Sequence, residues 1–403
     1  MKFKAAILEK TGQPLLVEDV ECLPLQAHDV LVRLQASGLC HTDYEVIQGS
    51  LPYPLPIILG HEGAGIVEEI GPSVKNVKVG DKVICSWNPF CGHCFYCVRN
   101  QPILCEPFSR NQPAGHLMDG TSRYLWRGEK MHHFSVVSSH AQFTVVPESG
   151  AIVVPAEIPS DRACLIGCGV MTGVGAVLRH AQVQAGSHVL VIGCGAVGLN
   201  VIQGARIADA QSIMAIDRNI LRDQLSSQMG ATHCLHGSAE ELRDQVFSLT
   251  QGRGADYVFE CVGQEATLRL ALEALRPGGQ LVILGKTEVN RNVSLRFGSL
   301  MGDKRIVRSS YGGARPMRDF PWLAQAYLNG SLKLDELISM RLPLKDINIG
   351  FDSLAQGNIV RAVIQMSTCH THLCRPDGSI AHTFACHWET FRQKWETASK
   401  MHL

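Results

Sequence analysis

Residues 189–198 read VLVIGCGAVG, an apolar run that passes directly into a glycine-rich segment. The run has the length of a buried β-strand, and the glycine spacing is that of a turn that opens a helix and binds a dinucleotide. In such a turn Gly193 would permit the tight bend, Gly195 the approach of a pyrophosphate, and Gly198 close packing of the helix. The free N–H groups at the helix N-terminus would then face the phosphates.

Strands and helices continue to alternate after this segment. We predict strands at 212–216, 257–259 and 281–284, with helices between them. This alternation is typical of a parallel, doubly wound sheet. The sequence therefore predicts a Rossmann-type nucleotide domain over residues 170–310.

The residues before this domain show a different pattern of predicted secondary structure. Up to about residue 165 they form short β-type runs, such as 30–34 and 65–70, separated by turn residues. After residue 310, a helix and a strand near 361–365 would return to this first part. The predicted fold class is α/β, with a mostly β domain of residues 1–169 and 311–366 beside the nucleotide domain. Residues 367–403 lack regular periodicity and are predicted to form a flexible tail.

Asp217 lies at the end of the predicted strand 212–216. A carboxylate there accepts hydrogen bonds from both ribose hydroxyls of NAD and repels the 2′-phosphate of NADP. Asp217 could instead only cap the helix that begins near Arg218, and that neighbouring arginine leaves NADP as an alternative. We expect NAD as the cofactor.

Cys91, Cys94, Cys97 and Cys105 form a second motif. Four thiolates at this spacing can converge on one tetrahedral zinc and leave no position for a substrate, as in structural zinc sites. The chain has 15 cysteines. In the cytoplasm these would be kept reduced, so the cluster is interpreted as a set of metal ligands rather than as a disulfide framework.

The composition argues against several classes of protein. Lys+Arg and Asp+Glu both number 37, so there is no excess positive charge to bind nucleic acid or an anionic membrane. The N-terminal MKFKAAIL lacks the apolar core of a signal peptide, and we expect no apolar stretch of the roughly 18 residues that a membrane helix needs. A cytoplasmic protein with a small-molecule partner is predicted.

Five ordered segments carry a resemblance to a known family. They are GLCHTD (38–43), GHEGAG (60–65), the four-cysteine motif, DGTSR (119–123) and GCGVMTGVGA (167–176). They resemble the zinc-dependent medium-chain alcohol dehydrogenases, closest to the animal and class III long forms, over residues 1–366. The resemblance implies a GroES-like catalytic domain beside the Rossmann domain, with NAD and two zinc ions per chain, one catalytic and one structural.

The same resemblance implies the ligands of the catalytic zinc. Cys40, His61 and Cys168 would hold it and leave the fourth position for the substrate alcohol. Cys164 lies one helical turn earlier, but Cys168 is the cysteine that stands before the family pattern. We interpret Cys164 as a buried core thiol.

Two carboxylates would surround this zinc. Asp43 would accept a hydrogen bond from His61, although it could also cap the helix that begins near Tyr44, and Glu62 would lie behind the metal. The zinc would lower the pKa of the bound alcohol, and the alkoxide carbon would deliver a hydride to the nicotinamide.

Further roles follow from the resemblance alone. Thr42 would take the proton of the alcohol. In many relatives a histidine three residues later completes the proton relay. This chain has Glu45 there, and the outlet for the proton would be either Glu45 or water. The resemblance places His41 and Arg361 near the pyrophosphate and Thr172 beside the nicotinamide.

Trp87 and Leu51 would line the substrate pocket, although a tryptophan is also often a core residue. The loop 47–54 has no carboxylate to meet the amino group of a glutathione adduct. We therefore expect NAD-dependent oxidation of an aliphatic, allylic or benzylic primary alcohol, or the reverse reaction. The alternative is a glutathione- or mycothiol-type formaldehyde dehydrogenase, and a remote one is a non-catalytic structural or nucleotide-sensing relative. By family analogy, a homodimer or homotetramer would pair through an edge strand within 293–307.

Overall fold

The computed structural model describes residues 1–366 apart from Val289 and Asn358. The tail predicted for residues 367–403 lies outside the described residues. The strands are β1 (Lys2–Leu8), β2 (Leu16–Cys22), β3 (Asp29–Gly38), β4 (Ile57–Ile58), β5 (Gly63–Ile70), β6 (Lys82–Cys85), β7 (Tyr124–Trp126), β8 (Glu129–Lys130), β9 (His132–His133), β10 (Phe143–Pro147), β11 (Ala151–Val153), β12 (His188–Ile192), β13 (Ser212–Ile216), β14 (His233–Leu235), β15 (Ala255–Glu260), β16 (Leu275–Ile283), β17 (Arg305–Arg308), β18 (Ile338–Pro343) and β19 (Arg361–Gln365). The α-helices are α1 (His41–Gln48), α2 (Glu106–Asn111), α3 (Ser160–Leu165), α4 (Met171–Gly175), α5 (Ala196–Ile207), α6 (Asp223–Met229), α7 (Ala239–Leu249), α8 (Glu265–Ala274), α9 (Pro316–Leu328) and α10 (Ile347–Ala355).

Strands β12 to β17 form one parallel sheet, in the order β14-β13-β12-β15-β16-β17. Every residue of β12 and β13 is buried, because helices cover both faces of such a sheet. Apart from His188 and Ser212 at their starts, both strands are apolar. The order reverses at β12, which places the turn after this strand at the switch point where ligands bind. The prediction of a doubly wound sheet is confirmed.

The other strands form two mostly antiparallel sheets. One has the order β8-β7-β2-β1-β4-β9, and the other has the order β11-β6-β5-β3-β19-β18, with β10 also on β3. The C-terminal strand β19 pairs antiparallel with β3, so that Val363 lies opposite Gly38. The chain thus returns to the sheet that leads into α1.

A continuous helical run over Ser160–Ala181 joins the two parts of the fold. It contains α3, a π-helical turn at Ile166–Val170, α4 and a second π-helical turn at Ala176–Ala181. The run is long and apolar enough to cross a membrane by length and composition, so the expectation of no such stretch is wrong. However, 72% of its apolar window is buried inside the fold, which is the behaviour of a core helix.

The predicted domain border between residues 169 and 170 falls inside this helical run. Packing explains the continuity, since residues of the run share one apolar core with the strands of the parallel sheet and with α9. The division into domains 1–169 with 311–366 and 170–310 stays a prediction.

Candidate functional site

Side chains from three separate segments of the chain meet in one metal-binding cluster. Cys40 directly precedes α1, His61 and Glu62 precede β5, and Cys168 lies in the π-helical turn 166–170. One ligand atom of each lies within 4.8 Å of the others, and His61 Nε2 is 3.3 Å from Cys168 Sγ. Two thiols and an imidazole in this arrangement fit the ligand chemistry of an open zinc site.

Asp43 accepts hydrogen bonds from two residues of the cluster and from its neighbour Gly60. Its Oδ1 accepts hydrogen bonds from His61 Nδ1 at 3.1 Å and from the Gly60 N–H at 3.0 Å. Its Oδ2 accepts one from the Cys40 N–H at 3.1 Å. Because Nδ1 is held by this buried carboxylate, Nε2 is the ring nitrogen that faces the cluster. Burial opposes protonation of His61, but the charges of Asp43 and Cys40 raise its pKa well above the usual value, so a metal ion there competes with a proton.

Glu62 and Arg361 form a buried ion pair beside the cluster. Arg361 Nη2 donates to Glu62 Oε1, and Nη1 donates to the Leu39 carbonyl at 2.9 Å. Glu62 Oε1 is also 3.9 Å from His61 Nε2. Burial raises the pKa of Glu62 to about 7 against the lowering effect of Arg361. The sequence placed Arg361 only near the pyrophosphate, and its pairing with Glu62 was not predicted.

Thr42, in the first turn of α1, makes a contact that the sequence did not predict. Its Oγ1 accepts a hydrogen bond from Lys286 Nζ at 2.8 Å, and the same ammonium lies 3.9 Å from Glu45 Oε2. Lys286 follows the end of β16 in the parallel sheet. The carboxyl edge of a doubly wound sheet is where ligands bind, and that position is the signal that could have drawn attention to Lys286.

The four cysteines of the second motif also converge, with Sγ atoms within 4.8 Å of one another. Cys105 Sγ accepts a hydrogen bond from the Cys91 N–H, and Cys91 Sγ accepts one from the Cys94 N–H. Burial raises the pKa of the Cys105 thiol to about 12. For Cys94, burial acts in the same direction, but backbone hydrogen bonds at Glu106 and Cys97 outweigh it and lower the pKa to about 6. A bound cation would hold all four as thiolates.

The glycine-rich turn after β12 has the local geometry that a pyrophosphate requires. Gly193 has a φ of 93°, in the left-handed region. A Cβ on Gly198 would collide with the Gly193 carbonyl, whereas a Cβ on Gly195 would meet no atom within 4 Å. The turn therefore leaves open space at its second glycine, and these residues fit a dinucleotide.

Asp217, at the end of β13, lies against this turn. Its Oδ2 accepts a hydrogen bond from the Cys194 N–H at 2.7 Å, and its Oδ1 accepts one from the Asn219 N–H at 2.8 Å. The carboxylate is thus fixed beside the glycine-rich turn and also supports the turn that follows it. Both oxygens keep lone pairs for further donors.

The remaining predicted residues lie at defined places. His41 is exposed at the start of α1, and Thr172 is half-buried in α4. Trp87 is half-buried, and its ring centroid is 4.2 Å from that of Tyr311. Leu51 is half-buried in the loop after α1. Cys164 is buried outside the cluster, and its thiol donates to the Asp161 carbonyl at 3.4 Å.

A metal cluster of two cysteines and a histidine beside a nucleotide-binding turn is typical of zinc-dependent dehydrogenases. Comparison with protein families agrees with this class. The alcohol dehydrogenase GroES-like domain matches residues 26–157, and the zinc-binding dehydrogenase family matches residues 196–329. The chain belongs to the zinc-dependent medium-chain alcohol dehydrogenases, and both the family resemblance and the predicted fold class are confirmed.

Individual relatives cover nearly the whole described chain. S-(hydroxymethyl)glutathione dehydrogenase of Aspergillus oryzae is 38% identical and covers 90% of this chain and 96% of its own length. Alcohol dehydrogenase class-3 of Drosophila melanogaster is also 38% identical, over 90% of this chain and 97% of its own. Among solved structures, benzyl alcohol dehydrogenase from Acinetobacter calcoaceticus superposes with a TM-score of 0.86 at 28% identity, covering 91% of this chain and 100% of that one.

Proposed function

We propose that this chain oxidises a primary alcohol with NAD at a zinc site formed by Cys40, His61 and Cys168. The adjacency of the metal cluster and the nucleotide turn carries this proposal. A Cβ on Gly169, the neighbour of Cys168, would lie 3.8 Å from Ala196 Cβ at the start of α5. A metal-bound substrate and a cofactor on this turn would therefore be close neighbours.

The residues around the cluster have separate tasks in this reaction. When bound, zinc supplies a Lewis acid that lowers the pKa of the alcohol, and NAD supplies the hydride acceptor. Asp43 holds the His61 ring in the orientation that directs Nε2 towards the cluster. Thr42 Oγ1 is the nearby hydroxyl that would accept the substrate proton, and the side chain of Glu45, one turn later in α1, is 36% exposed. Asp217 favours NAD over NADP because its carboxylate would repel a 2′-phosphate.

We infer that the substrate class is an S-(hydroxymethyl) thiol adduct, such as the adduct of formaldehyde with glutathione. Several relatives at 37–38% identity are S-(hydroxymethyl)glutathione dehydrogenases, and they support this alternative better than the free alcohol that the sequence favoured. Such an adduct is itself a primary alcohol with sulfur on the hydroxyl carbon, so the same zinc chemistry applies. The loop 47–54 differs from the expected pattern because it has no carboxylate, so the adduct would need another anchor.

A free aliphatic or benzylic alcohol is the second candidate. Trp87 and Leu51 both pack against apolar core residues, and they would give the pocket a flat, apolar wall that suits an unbranched or aromatic alcohol. The structural similarity to a benzyl alcohol dehydrogenase supports this candidate.

NADH formation at 340 nm separates these proposals. The zinc-loaded protein would be given formaldehyde, benzyl alcohol, hexanol or ethanol, each with and without glutathione. Turnover of formaldehyde only with the thiol would establish the adduct, and thiol-independent turnover of alcohols would establish the second candidate. No turnover with bound zinc and bound NAD would contradict both and would favour a non-catalytic relative.

We also propose that the chain forms homodimers or homotetramers that pair through the edge of its parallel sheet. Strand β17 is the edge strand of that sheet. Phe297 and Met301, which precede it, are 77% and 64% exposed, and exposed apolar groups beside a free edge favour pairing. Light scattering should give the mass of a dimer or tetramer for the wild-type chain and of a monomer for Phe297→Glu/Met301→Glu.

A further inference from the structure

Lys286 extends from the nucleotide sheet to the proposed substrate-side hydroxyl. The turn that carries it is fixed, because the Gly285 N–H donates to the Glu260 carbonyl at 2.9 Å. From there the ammonium reaches Thr42 Oγ1 at 2.8 Å and stands 3.9 Å from Glu45 Oε2. The side chain of Lys286 thus contacts both Thr42, the proposed proton acceptor, and Glu45.

The contact with Lys286 restricts the hydrogen bonds that the Thr42 hydroxyl can make. A lysine ammonium has donors and no acceptor, so Lys286 takes one lone pair of Thr42 Oγ1. The hydroxyl hydrogen of Thr42 must then point to another acceptor. In the proposed reaction the second lone pair of Thr42 Oγ1 takes the proton of the alcohol while the hydroxyl releases its own proton to solvent. The hydroxyl then donates to the substrate alkoxide, and a donated hydrogen bond stabilises an alkoxide more than an alcohol.

We propose that Lys286 is a positioning residue that acts through Thr42 to favour the alkoxide form of the bound substrate. Glu45 holds the ammonium from its other side. This inference rests on the proposed alcohol oxidation, and it adds a residue from the nucleotide domain to the catalytic machinery. As an ion pair alone, Lys286–Glu45 would contribute little to stability, because the two side chains are 53% and 36% exposed. Loss of a merely structural pair should therefore leave kcat unchanged.

The first test compares Lys286→Met with Lys286→Arg, and uses Lys345→Met as the control at an exposed lysine. Proton release would be measured with a pH indicator when the enzyme–NAD complex is mixed with trifluoroethanol, whose hydroxyl ionises but whose carbon is a poor hydride donor. We expect less proton release at neutral pH in Lys286→Met. For a reacting substrate, kcat should fall about tenfold in the same variant, whereas the KM for NAD should change little. Lys286→Arg should retain most of both signals, and Lys345→Met should match the wild type.

A double-mutant cycle tests whether Lys286 acts through Thr42. If it does, Lys286→Met should cause little further loss in a Thr42→Val background. An equal loss in both backgrounds would overturn the inference, as would wild-type kcat and proton release in Lys286→Met. A raised substrate KM with unchanged kcat would also overturn it and would assign Lys286 to anchoring an anionic substrate. If the wild-type protein forms no NADH from any alcohol, the proposed function fails and this inference fails with it.

Discussion

The two metal clusters of this chain are built in opposite ways. The four-cysteine cluster lies within one loop, residues 91–105, and it packs against an apolar cluster that includes Phe108, Leu117 and Tyr124. The second cluster gathers Cys40, His61 and Cys168 from three segments and has charged groups around it. A local cluster can brace its loop with little help from the fold, whereas a dispersed cluster exists only when three segments of the fold are correctly placed.

The surroundings of the clusters differ as much as their assembly. Asp43, Glu62 and Arg361 are all buried beside the dispersed cluster, and buried charges are costly unless they have partners. The loop cluster has backbone N–H donors in place of such charges. We therefore assign the chemistry to the dispersed cluster and a structural role to the loop cluster.

Cys168→Ser should have the largest effect and should act on chemistry alone. Loss of the catalytic zinc removes several kcal/mol of charge stabilisation, so we expect turnover to fall by at least about 1000-fold. Metal analysis should show one zinc fewer per chain. Cys164→Ser is the matched control, because Cys164 lies one turn earlier and outside the cluster. Full activity in Cys168→Ser would contradict the assignment.

Asp43→Asn should have the next largest effect, because it removes the charge that orients His61. Loss of such a supporting carboxylate costs about 10- to 100-fold in metal affinity or activity. Zinc affinity would be measured by chelator competition, and Asp19→Asn, which breaks an exposed ion pair with Lys4, serves as the control. Equal zinc affinity in Asp43→Asn and the wild type would show that the orientation of His61 does not depend on this carboxylate.

Cys97→Ser should show the reverse pattern, a loss of stability with preserved chemistry. We expect the Tm to fall by about 5 °C or more, while kcat of the folded protein stays within about twofold of the wild type. Calorimetry and NADH assays on the same preparation would test this, with Cys234→Ser as a control outside both clusters. Loss of kcat without a change in Tm would reverse the roles of the two clusters.

The smallest predicted effect concerns a histidine outside both clusters. Burial lowers the pKa of His133 to about 3, and its Nε2 accepts the Arg123 N–H at 3.1 Å. Because the unfolded chain takes up this proton near pH 6.5 and the folded chain does not, stability is lost as the pH falls below about 6.5. The loss should reach about 2 kcal/mol at pH 5.

His133→Gln keeps an acceptor but removes the titration, so its stability should depend less on pH than that of the wild type. Urea unfolding between pH 5 and pH 8 measures this, with the exposed His28→Gln as the control. An unchanged pH dependence in His133→Gln would show that His133 does not set it.

Much of the nucleotide sheet could be predicted because its signals are local. The predicted strand 212–216 coincides with β13, where every residue is buried and residues 213–216 are all apolar. The predicted strand 281–284 overlaps only the last three residues of β16, which begins at Leu275 and ends at Ile283. The start of β16 could not be predicted from the sequence, because Pro277, Gly278 and Gly279 are typical of a turn.

The same distinction applies to the metal clusters. The four cysteines could be assigned from spacing alone, whereas Cys40, His61 and Cys168 could be grouped only by the family resemblance. The pairing of Arg361 with Glu62 and the contact of Lys286 with Thr42 join residues that are far apart in the sequence. Such contacts depend on how the sheets and helices pack, and no local pattern encodes them.

Anomalous X-ray diffraction at the zinc absorption edge locates each zinc ion in a crystal of the protein and so tests whether both clusters bind zinc. We expect two peaks per chain, one among Cys91, Cys94, Cys97 and Cys105, and one bound by Cys40, His61 and Cys168. A single peak at the four-cysteine loop, with none at the dispersed cluster in zinc-replete and active protein, would contradict it.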